Sequence, residues 1–302
     1  MYVHHNPVEV IVQAPAKVNL FFEVISRRSD GYHEIETLMC PVTLFDTLRF
    51  SSKSSSSIDF RCELSHGFNS SDGAEAAQLP VDKRNLAVRA VELLRERAGI
   101  GAGASLSLTK RIPTAAGLGG GSSDAAAALF AANLAWGLNW PRDRLATLGA
   151  ELGSDVPFFL ASAPALCRGR GEQVERLDAL GTLHLVIVRP PAGLATEAVY
   201  KVCRPAQMRV PVFPLVHALK QGNVSEAGRL LFNRLLPAAS AMTPWIERLR
   251  THFDRQDCLG HALSGSGSSY FGLCRHASHA RRVARRLRSL NVGRVFAVHS
   301  CR

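Results

Sequence analysis

The sequence predicts a two-domain protein of the α+β class. A chain of 302 residues is long enough for two moderate domains, each with its own apolar core. The first 50 residues hold two extended apolar stretches separated by the turn signal SDGYH, which is typical of paired strands. After about residue 163 a new succession of strands and helices begins. We therefore expect one domain in residues 1–163 and a second in residues 164–302.

The elements of the first half can be assigned in chain order. Strands are expected in VEVIVQAPAKVNLFFEVI and EIETLMCPVTLFDTLRF. The stretches SSKSSSS and SHGFNSSDGAEAAQLP are polar and rich in Ser and Gly, which predicts mobile loops without catalytic residues. Asn85 can cap a helix in NLAVRAVELLRERAG, and ASLSLTKRIP alternates as a strand does. A further helix in PRDRLATLGAELG leads into the apolar turn SDVPFFL.

The second half predicts its own core. LHLVIVRP is typical of a buried strand, a helix-rich stretch follows, and HALSGSGSSYFGLC suggests a strand, a turn and a strand. In HASHARRVARRLRSL, apolar residues recur every three to four positions, which predicts a packed helix with arginines on its outer face. VGRVFAVHS should form the last strand.

Composition narrows the class of protein. No apolar run reaches the ~18 residues of a membrane span, and the N-terminus lacks the pattern of a secretory signal, so we expect a cytoplasmic protein. The seven cysteines show no C-x-x-C spacing, which favours reduced thiols over disulfides or zinc. The net charge is +11, and the chain from Cys258 onward has eight arginines and no acid. We expect these arginines to lie on the solvent-exposed face of a helix, and binding of nucleic acid is the alternative interpretation.

The stretch PTAAGLGGGSSDAAAALF, residues 113–130, predicts a phosphate site. Four glycines in five positions are costly unless the backbone needs positive φ or close approach, and good helix formers follow them. A glycine-rich loop entering a helix N-terminus can cradle an anion, although a plain turn is the alternative. The loop matches neither G-x-x-x-x-G-K-[ST] nor G-x-G-x-x-G, and no Lys or Arg lies between Arg111 and Arg142. A positively charged side chain that balances the phosphate charge must therefore come from another part of the fold.

Two side chains and a second turn could complete such a site. Lys17 and Asn19 lie two apart on a predicted strand and face the same side, and Lys17 is suited to supply the cation. Asp155 stands alone between a helix end and an apolar stretch, which favours a reactive carboxylate over the alternative of a helix cap or buried Asp. LSGSGSSYF, residues 263–271, can add backbone N–H groups.

Three of these stretches together resemble the motifs of the GHMP kinases. APAKVNLFF resembles the first motif of that family, PTAAGLGGGSSDAAAAL its phosphate loop and HALSGSGSSYFGL its third motif, in the family's order and over nearly the whole chain. The resemblance implies an N-terminal α/β domain related to a ribosomal-protein fold, a ferredoxin-like C-terminal domain, and an active site in the cleft between them. Asp-Gly-Tyr-His at residues 30–33 resembles those members whose small-molecule substrate carries a cytidine diphosphate group.

The resemblance also implies roles for single residues. Asp155 would take the proton from the substrate hydroxyl, and Lys17 would polarise that hydroxyl and stabilise the γ-phosphate of ATP. Asn85 and Lys110 match positions that border the adenine. The ATP phosphates would be wrapped by Pro113, Thr114, Ala115, Ala116, Gly117, Leu118, Gly119, Gly120, Gly121, Ser122 and Ser123. The substrate pocket would contain Asn19, Tyr32, His33, Thr196 and Tyr200. ATP chemistry implies Mg²⁺, for which the sequence indicates no ligands.

The chain departs from the family pattern at two places. Ala115-Ala116 stands where relatives often carry more glycine, and NRLLP at 233–237 replaces the more usual Asn-Asp-Leu-Glu, so we predict no role there. Two alternatives remain: a kinase of the homoserine or mevalonate type, which Tyr32 and His33 argue against, and a non-catalytic nucleic-acid-binding protein of this fold, which Lys17 and Asp155 argue against. We expect a small-molecule partner, no nucleic acid and no membrane; the sequence indicates no oligomeric state.

Overall fold

The computed structural model describes residues 1–65, 80, 82–178, 180–205 and 207–301. These residues form two compact units, each built from several chain segments. The first unit comprises residues 1–16, 44–114 and 119–162, and the second comprises 17–43, 115–118 and 163–302. The predicted boundary at 163/164 stays a prediction.

The first unit contains strands backed by four helices. Its strands are β1 (Tyr2–His5), the first part of β2 (Val10–Arg27), the last part of β3 (His33–Lys53), β4 (Ile58–Leu64) and β5 (Gly103–Lys110). Strand β5 pairs antiparallel with β3 and parallel with β4. Its helices are α1 (Leu86–Ala98), α2 (Gly120–Ala135), α3 (Arg142–Leu152) and α4 (Val156–Ala161). Helix α2 is Ala-rich and buried on most sides, so it lies inside this unit's core.

Among the described residues, the second unit contains the remaining parts of β2 and β3, seven further strands and six helices. The short strands β6 (Ala165–Arg168), β7 (Gln173–Arg176) and β9 (Phe232–Asn233) extend the sheet of β2 and β3. A separate antiparallel sheet has the order β10 (Gly260–Leu263), β11 (Tyr270–Cys274), β8 (His184–Arg189), β12 (Arg294–His299). The helices are α5 (Thr196–Val202), α6 (Phe213–Lys220), α7 (Val224–Arg229), α8 (Leu236–Met242), α9 (Pro244–Asp254) and α10 (Ala277–Ser289).

Most predicted elements are confirmed, including the α+β class. Asn85 caps α1 because its side chain accepts a hydrogen bond from the Ala87 N–H, and Gly99 ends the helix in the left-handed conformation. Helix α10 buries Val283, Ala284 and Leu287 and leaves several arginines exposed, as the spacing predicts. Every cysteine lies in the described part of the chain as a free thiol.

The prediction of a loop in SSKSSSS is wrong for its first residues. Ser51 to Lys53 continue β3, because they pair in register with the start of β5. The chain then passes over Gly103, the first residue of β5, to begin β4. If Gly103 carried a Cβ, that atom would lie 2.1 and 2.3 Å from the carbonyl oxygens of Ser55 and Ser57. Only glycine permits that crossing. Most of SHGFNSSDGAEAAQLP lies outside the described residues.

Two further local predictions need correction. The apolar stretch after Asp155 is the short helix α4 rather than a turn, because Val156 and Pro157 occupy its first turn. Strands β6 and β7 are absent from the sequence prediction. In the described ranges, no helix is long and apolar enough to span a bilayer.

Candidate active site

The glycines of the 113–123 loop serve two needs of the backbone. Gly117 and Gly119 have φ of 70° each, a region that favours glycine. A Cβ on Gly117 would lie 2.2 Å from the Ser264 carbonyl oxygen, so the 263–269 turn itself sits against the loop. On Gly120 a Cβ would lie 3.2 Å from Lys110 Nζ. The 263–269 turn is therefore a close neighbour of this loop.

Helix α2 begins at Gly120, inside the glycine run of the loop. Gly119 occupies the N-cap position and has no side chain to satisfy the N–H groups of the first turn. Ser122 and Ser123 lie within that first turn, and the Ser123 hydroxyl is buried without a hydrogen-bond partner in the described residues. Orphan N–H groups and the helix dipole favour an anion at this end.

Lys17 and Asn19 are brought together with parts of both glycine-rich turns. The Lys17 backbone N–H donates to the Leu118 carbonyl at 2.9 Å, and its Nζ donates to Asn19 Oδ1 at 2.6 Å. The Asn19 N–H donates to Ser264 Oγ at 3.4 Å, and that hydroxyl donates to the Gly117 carbonyl at 3.0 Å. All three predicted motifs thus contribute to one buried cluster in the second unit.

The NRLLP segment supports the same turn. Asn233 Nδ2 donates to the carbonyls of Leu263 and Gly265 at 2.8 and 2.9 Å. A Cβ on Gly265 would lie 3.2 Å from both Lys17 Nζ and Asn19 Oδ1. Next to Asn233 in the chain, Arg234 makes a bidentate ion pair with the buried Glu23. Burial acts to raise the pKa of Glu23, but the hydrogen bonds and the charge of Arg234 hold this pKa below its usual value.

Asp155 lies in the first unit, at the N-cap position of α4. Its side chain accepts no hydrogen bond from the first-turn N–H groups, so helix capping does not explain this residue. The residue as a whole is half-buried.

Asn85 and Lys110, predicted to border the adenine, both have intramolecular partners. The Asn85 amide bonds the Ala87 N–H and the Pro80 carbonyl. The Lys110 ammonium is buried and forms ion pairs with Asp46 and, at 2.6 Å, with Asp124. Burial lowers the pKa of Lys110, but the two carboxylates raise it above its ordinary value. Burial raises the pKa of Asp124 well above its ordinary value, although Lys110 opposes this.

Tyr32, His33 and Tyr200, which were predicted for the substrate pocket, all lie in the second unit. The rings of His33 and Tyr200 pack with centroids 5.0 Å apart. Tyr32 is 54% exposed, and its backbone N–H donates to Asp30 Oδ1 in the turn around Gly31. The Arg170 guanidinium lies 4.9 Å from the Tyr32 ring centroid, within cation–π range. Burial, reinforced by the charge of Arg27, lowers the pKa of His33, so its ring is neutral at pH 7 and offers both a donor and an acceptor.

Thr196, also predicted for the substrate pocket, is exposed at the start of α5, and its hydroxyl lies 2.9 Å from Ser266 Oγ. The contact joins this residue to the glycine-serine turn. Sequence reasoning missed Arg170 and Thr37, the second of which bonds the Asn19 amide. No local pattern distinguishes either residue, since both depend on partners distant in sequence.

The two halves of the chain match family models and whole relatives. Residues 85–163 match the GHMP kinase N-terminal domain, and residues 215–292 match the GHMP kinase C-terminal domain. A protein named 4-diphosphocytidyl-2-C-methyl-D-erythritol kinase from Pelotomaculum thermopropionicum is 40% identical over 91% of this chain and 92% of its own length. One of the same name from Shouchella clausii is 36% identical over 96% and 94%.

Solved structures agree with these matches. A crystal structure of 4-(cytidine 5'-diphospho)-2C-methyl-D-erythritol kinase is 36% identical with a TM-score of 0.77, covering 96% of this chain and 98% of that one. Homoserine kinase from Cytophaga hutchinsonii has a TM-score of 0.77 at 21% identity, covering 100% and 97%, and so shows the fold alone. With matches over both domains and relatives of 36–40% identity over nearly its whole length, this chain belongs to the GHMP kinase family.

Proposed function

We propose that this chain transfers the γ-phosphate of ATP to the 2-hydroxyl of 4-diphosphocytidyl-2-C-methyl-D-erythritol. The observation that carries the proposal is the buried Lys17 ammonium, 2.6 Å from Asn19 Oδ1, on a backbone bonded to Leu118 of the glycine loop. A phosphate loop without its own cation requires one nearby, and Lys17 meets that requirement. The substrate follows from the names of the relatives at 36–40% identity.

ATP is proposed to bind along residues 113–123, with its phosphates at the N-terminus of α2. The uncapped first turn supports this placement because its N–H groups suit an anion. Asn85 and Lys110 would border the adenine by shaping that part of the first unit, since their polar groups already bond Ala87, Asp46 and Asp124. The proposal places the enzyme in the cytoplasm, where ATP is available.

Mg²⁺ is proposed to accompany the nucleotide. Across the described residues, no three His, Cys, Asp or Glu side chains gather to hold a metal on their own. Mg²⁺ bound with a nucleotide takes most ligands from phosphates and water, and needs only one or two hard oxygens from protein. The buried Ser123 hydroxyl, which has no hydrogen-bond partner among the described residues, is such an oxygen and would hold the ion. Bound there, Mg²⁺ would neutralise charge on the phosphates.

The transfer step is proposed to divide between two residues. Lys17 would stabilise the charge on the γ-phosphate and polarise the substrate hydroxyl. Asp155 would accept the proton of the substrate hydroxyl while the hydroxyl oxygen attacks the γ-phosphorus. ADP would leave with the electron pair of the broken P–O bond. Asn19, between Lys17 and Thr37, would hold the ammonium in place.

The cytidine group is proposed to bind at Tyr32, His33 and Tyr200. Aromatic faces can stack on a pyrimidine, and the neutral His33 ring can pair with a base edge that presents both a donor and an acceptor. Arg170, packed over Tyr32, would hold that ring for stacking. Thr196, bonded to Ser266, would line the pocket on the side of the glycine-serine turn.

Asp155→Asn tests the proposed mechanism. Loss of a general base lowers kcat by about 10²- to 10⁴-fold, while the isosteric amide should keep the fold and the KM for ATP. Asp143→Asn is a matched control, because it makes the same change at an exposed position in the first turn of α3. Near wild-type turnover of Asp155→Asn would remove Asp155 from the chemistry.

A further inference from the structure

Thr37 is a buried residue of β3 that bonds two groups on β2. Its Oγ1 lies 2.7 Å from the Phe21 carbonyl oxygen and 2.8 Å from Asn19 Nδ2. Thr37 and Asn19 are each 1% exposed, and Lys17 is 4% exposed. Water therefore does not compete for these hydrogen bonds.

The single hydroxyl hydrogen of Thr37 determines the direction of both bonds. A carbonyl oxygen can only accept, so the hydroxyl donates to Phe21. The Oγ1 atom is then left to accept, and the group of Asn19 that faces it must be the NH₂. The amide oxygen of Asn19 consequently points the other way, toward Lys17 Nζ at 2.6 Å.

The orientation of this amide determines what the lysine meets. An ammonium has three donors and no acceptor, so it needs an oxygen in a buried setting. If the Asn19 amide were reversed, its NH₂ would face the ammonium, and the two donors would repel each other. We infer that Thr37 is a positioning residue, which fixes the Asn19 amide and through it holds the Lys17 ammonium where the phosphate charge develops; this inference rests on the function proposed for Lys17.

The test compares Thr37→Val with Thr37→Ser. Valine keeps the shape but removes both hydrogen bonds, and we expect kcat to fall about tenfold while the KM for ATP stays within about twofold. Serine keeps the hydroxyl and should restore kcat to within about twofold of wild type.

Thr47→Val is the matched control. Its hydroxyl also lies on β3 and also makes two side-chain bonds, donating to Gln13 Oε1 at 3.1 Å and accepting from Arg111 at 2.8 Å. Neither of these two bonds involves Lys17 or Asn19, so kcat should stay within about twofold of wild type. If Thr37→Val keeps wild-type kcat, if Thr37→Ser is as slow as Thr37→Val, or if Thr47→Val loses kcat equally, the inference is overturned.

A second measurement does not require any variant to fold. In the NMR spectrum of the wild-type protein, the Asn19 side-chain NH₂ should exchange slowly with solvent, as a buried, bonded amide does. Fast exchange of that group would refute the positioning role. If wild-type protein transfers no phosphate to the cytidine substrate, the proposed function fails, whereas the exchange rate still reports whether the Asn19 NH₂ is held in a buried hydrogen bond.

Discussion

Replacing Lys110 with Met should destabilise the fold far more than removal of a surface lysine. The ammonium is buried between Asp46 and Asp124, and the Asp46 carboxylate also accepts hydrogen bonds from the backbone of Arg111 and Ile112. Methionine fills the same volume without the charge. The variant would therefore leave carboxylates in the core without their counter-ion.

The size of the effect follows from the proton that a buried carboxyl must take up. If loss of Lys110 makes one further Asp, with an ordinary pKa of 3.8, fold neutral at pH 7, the added cost is about 4 kcal/mol, because each pH unit between 3.8 and 7 contributes ~1.4 kcal/mol. This agrees with the ~3–5 kcal/mol typical of breaking a buried ion pair. Since a raised folded pKa gives stability at low pH that is lost as pH rises, the defect should shrink to about 2 kcal/mol at pH ~5.

The assay is urea-induced unfolding followed by Trp fluorescence at pH ~7 and pH ~5, because Trp136 and Trp140 lie in the same unit as Lys110. Lys53→Met is the matched control. Its ion pair with Asp59 is equally short, 2.6 Å, but exposed, so its loss should cost no more than about 1 kcal/mol.

Two results would refute this reasoning. One is a free energy of unfolding for Lys110→Met no lower than that of Lys53→Met. The other is a defect that does not shrink on acidification, since a proton-uptake cost must do so.

Three other perturbations test separate parts of the molecule. Tyr32→Ala should raise the KM for the cytidine substrate by about 10- to 100-fold and leave the KM for ATP nearly unchanged, because base stacking contributes ~1–3 kcal/mol; equal changes in both KM values would contradict the cytidine site. Burial acts to raise the pKa of Asp257. The hydrogen bonds from His279 and Arg282, together with the charge of His279, nevertheless lower this pKa from 3.8 to about 2. Asp257 thus adds stability that is present above pH 3.8 and lost as pH falls through about 2. Urea unfolding should therefore give Asp257→Asn a lower free energy of unfolding than wild type at pH ~5, and this difference should shrink toward pH 2. A difference that stays constant with pH would contradict this. Changing the exposed Arg281 and Arg285 to Gln should leave turnover within a few-fold, and DNA binding at ~0.15 M salt that disappears in this variant would indicate an interaction role.

Local sequence patterns predicted the elements whose stability is local. Strands β2 and β3 follow from β-branched and apolar runs around a turn signal, and α1 follows from its periodicity and the Asn85 cap. Strands β6 and β7 escaped prediction because each has only four residues; β6 pairs with β3, far away in the chain, and β7 pairs with β6.

The candidate site was predictable in its residue types but not in its internal bonds. Lys17, Asn19 and the two glycine-serine turns could be selected by chemistry and spacing. The burial of Lys110 could not, since its carboxylate partner Asp46 is 64 positions away. Thr37 and Arg170 acquire their roles only through tertiary contacts with Asn19 and Tyr32.

The most direct test of the proposed activity is transfer of the ATP γ-phosphate to each of four acceptors by the purified protein. The acceptors are 4-diphosphocytidyl-2-C-methyl-D-erythritol, homoserine, mevalonate and galactose. We predict a kcat/KM for the cytidine compound at least ~100-fold above the others, because a site that pairs with a base edge strongly rejects substrates without one. The ³¹P NMR spectrum of the product should show one new phosphomonoester beside an intact diphosphate. Equal or faster transfer to homoserine or mevalonate, or no transfer to the cytidine compound, would contradict the proposed function.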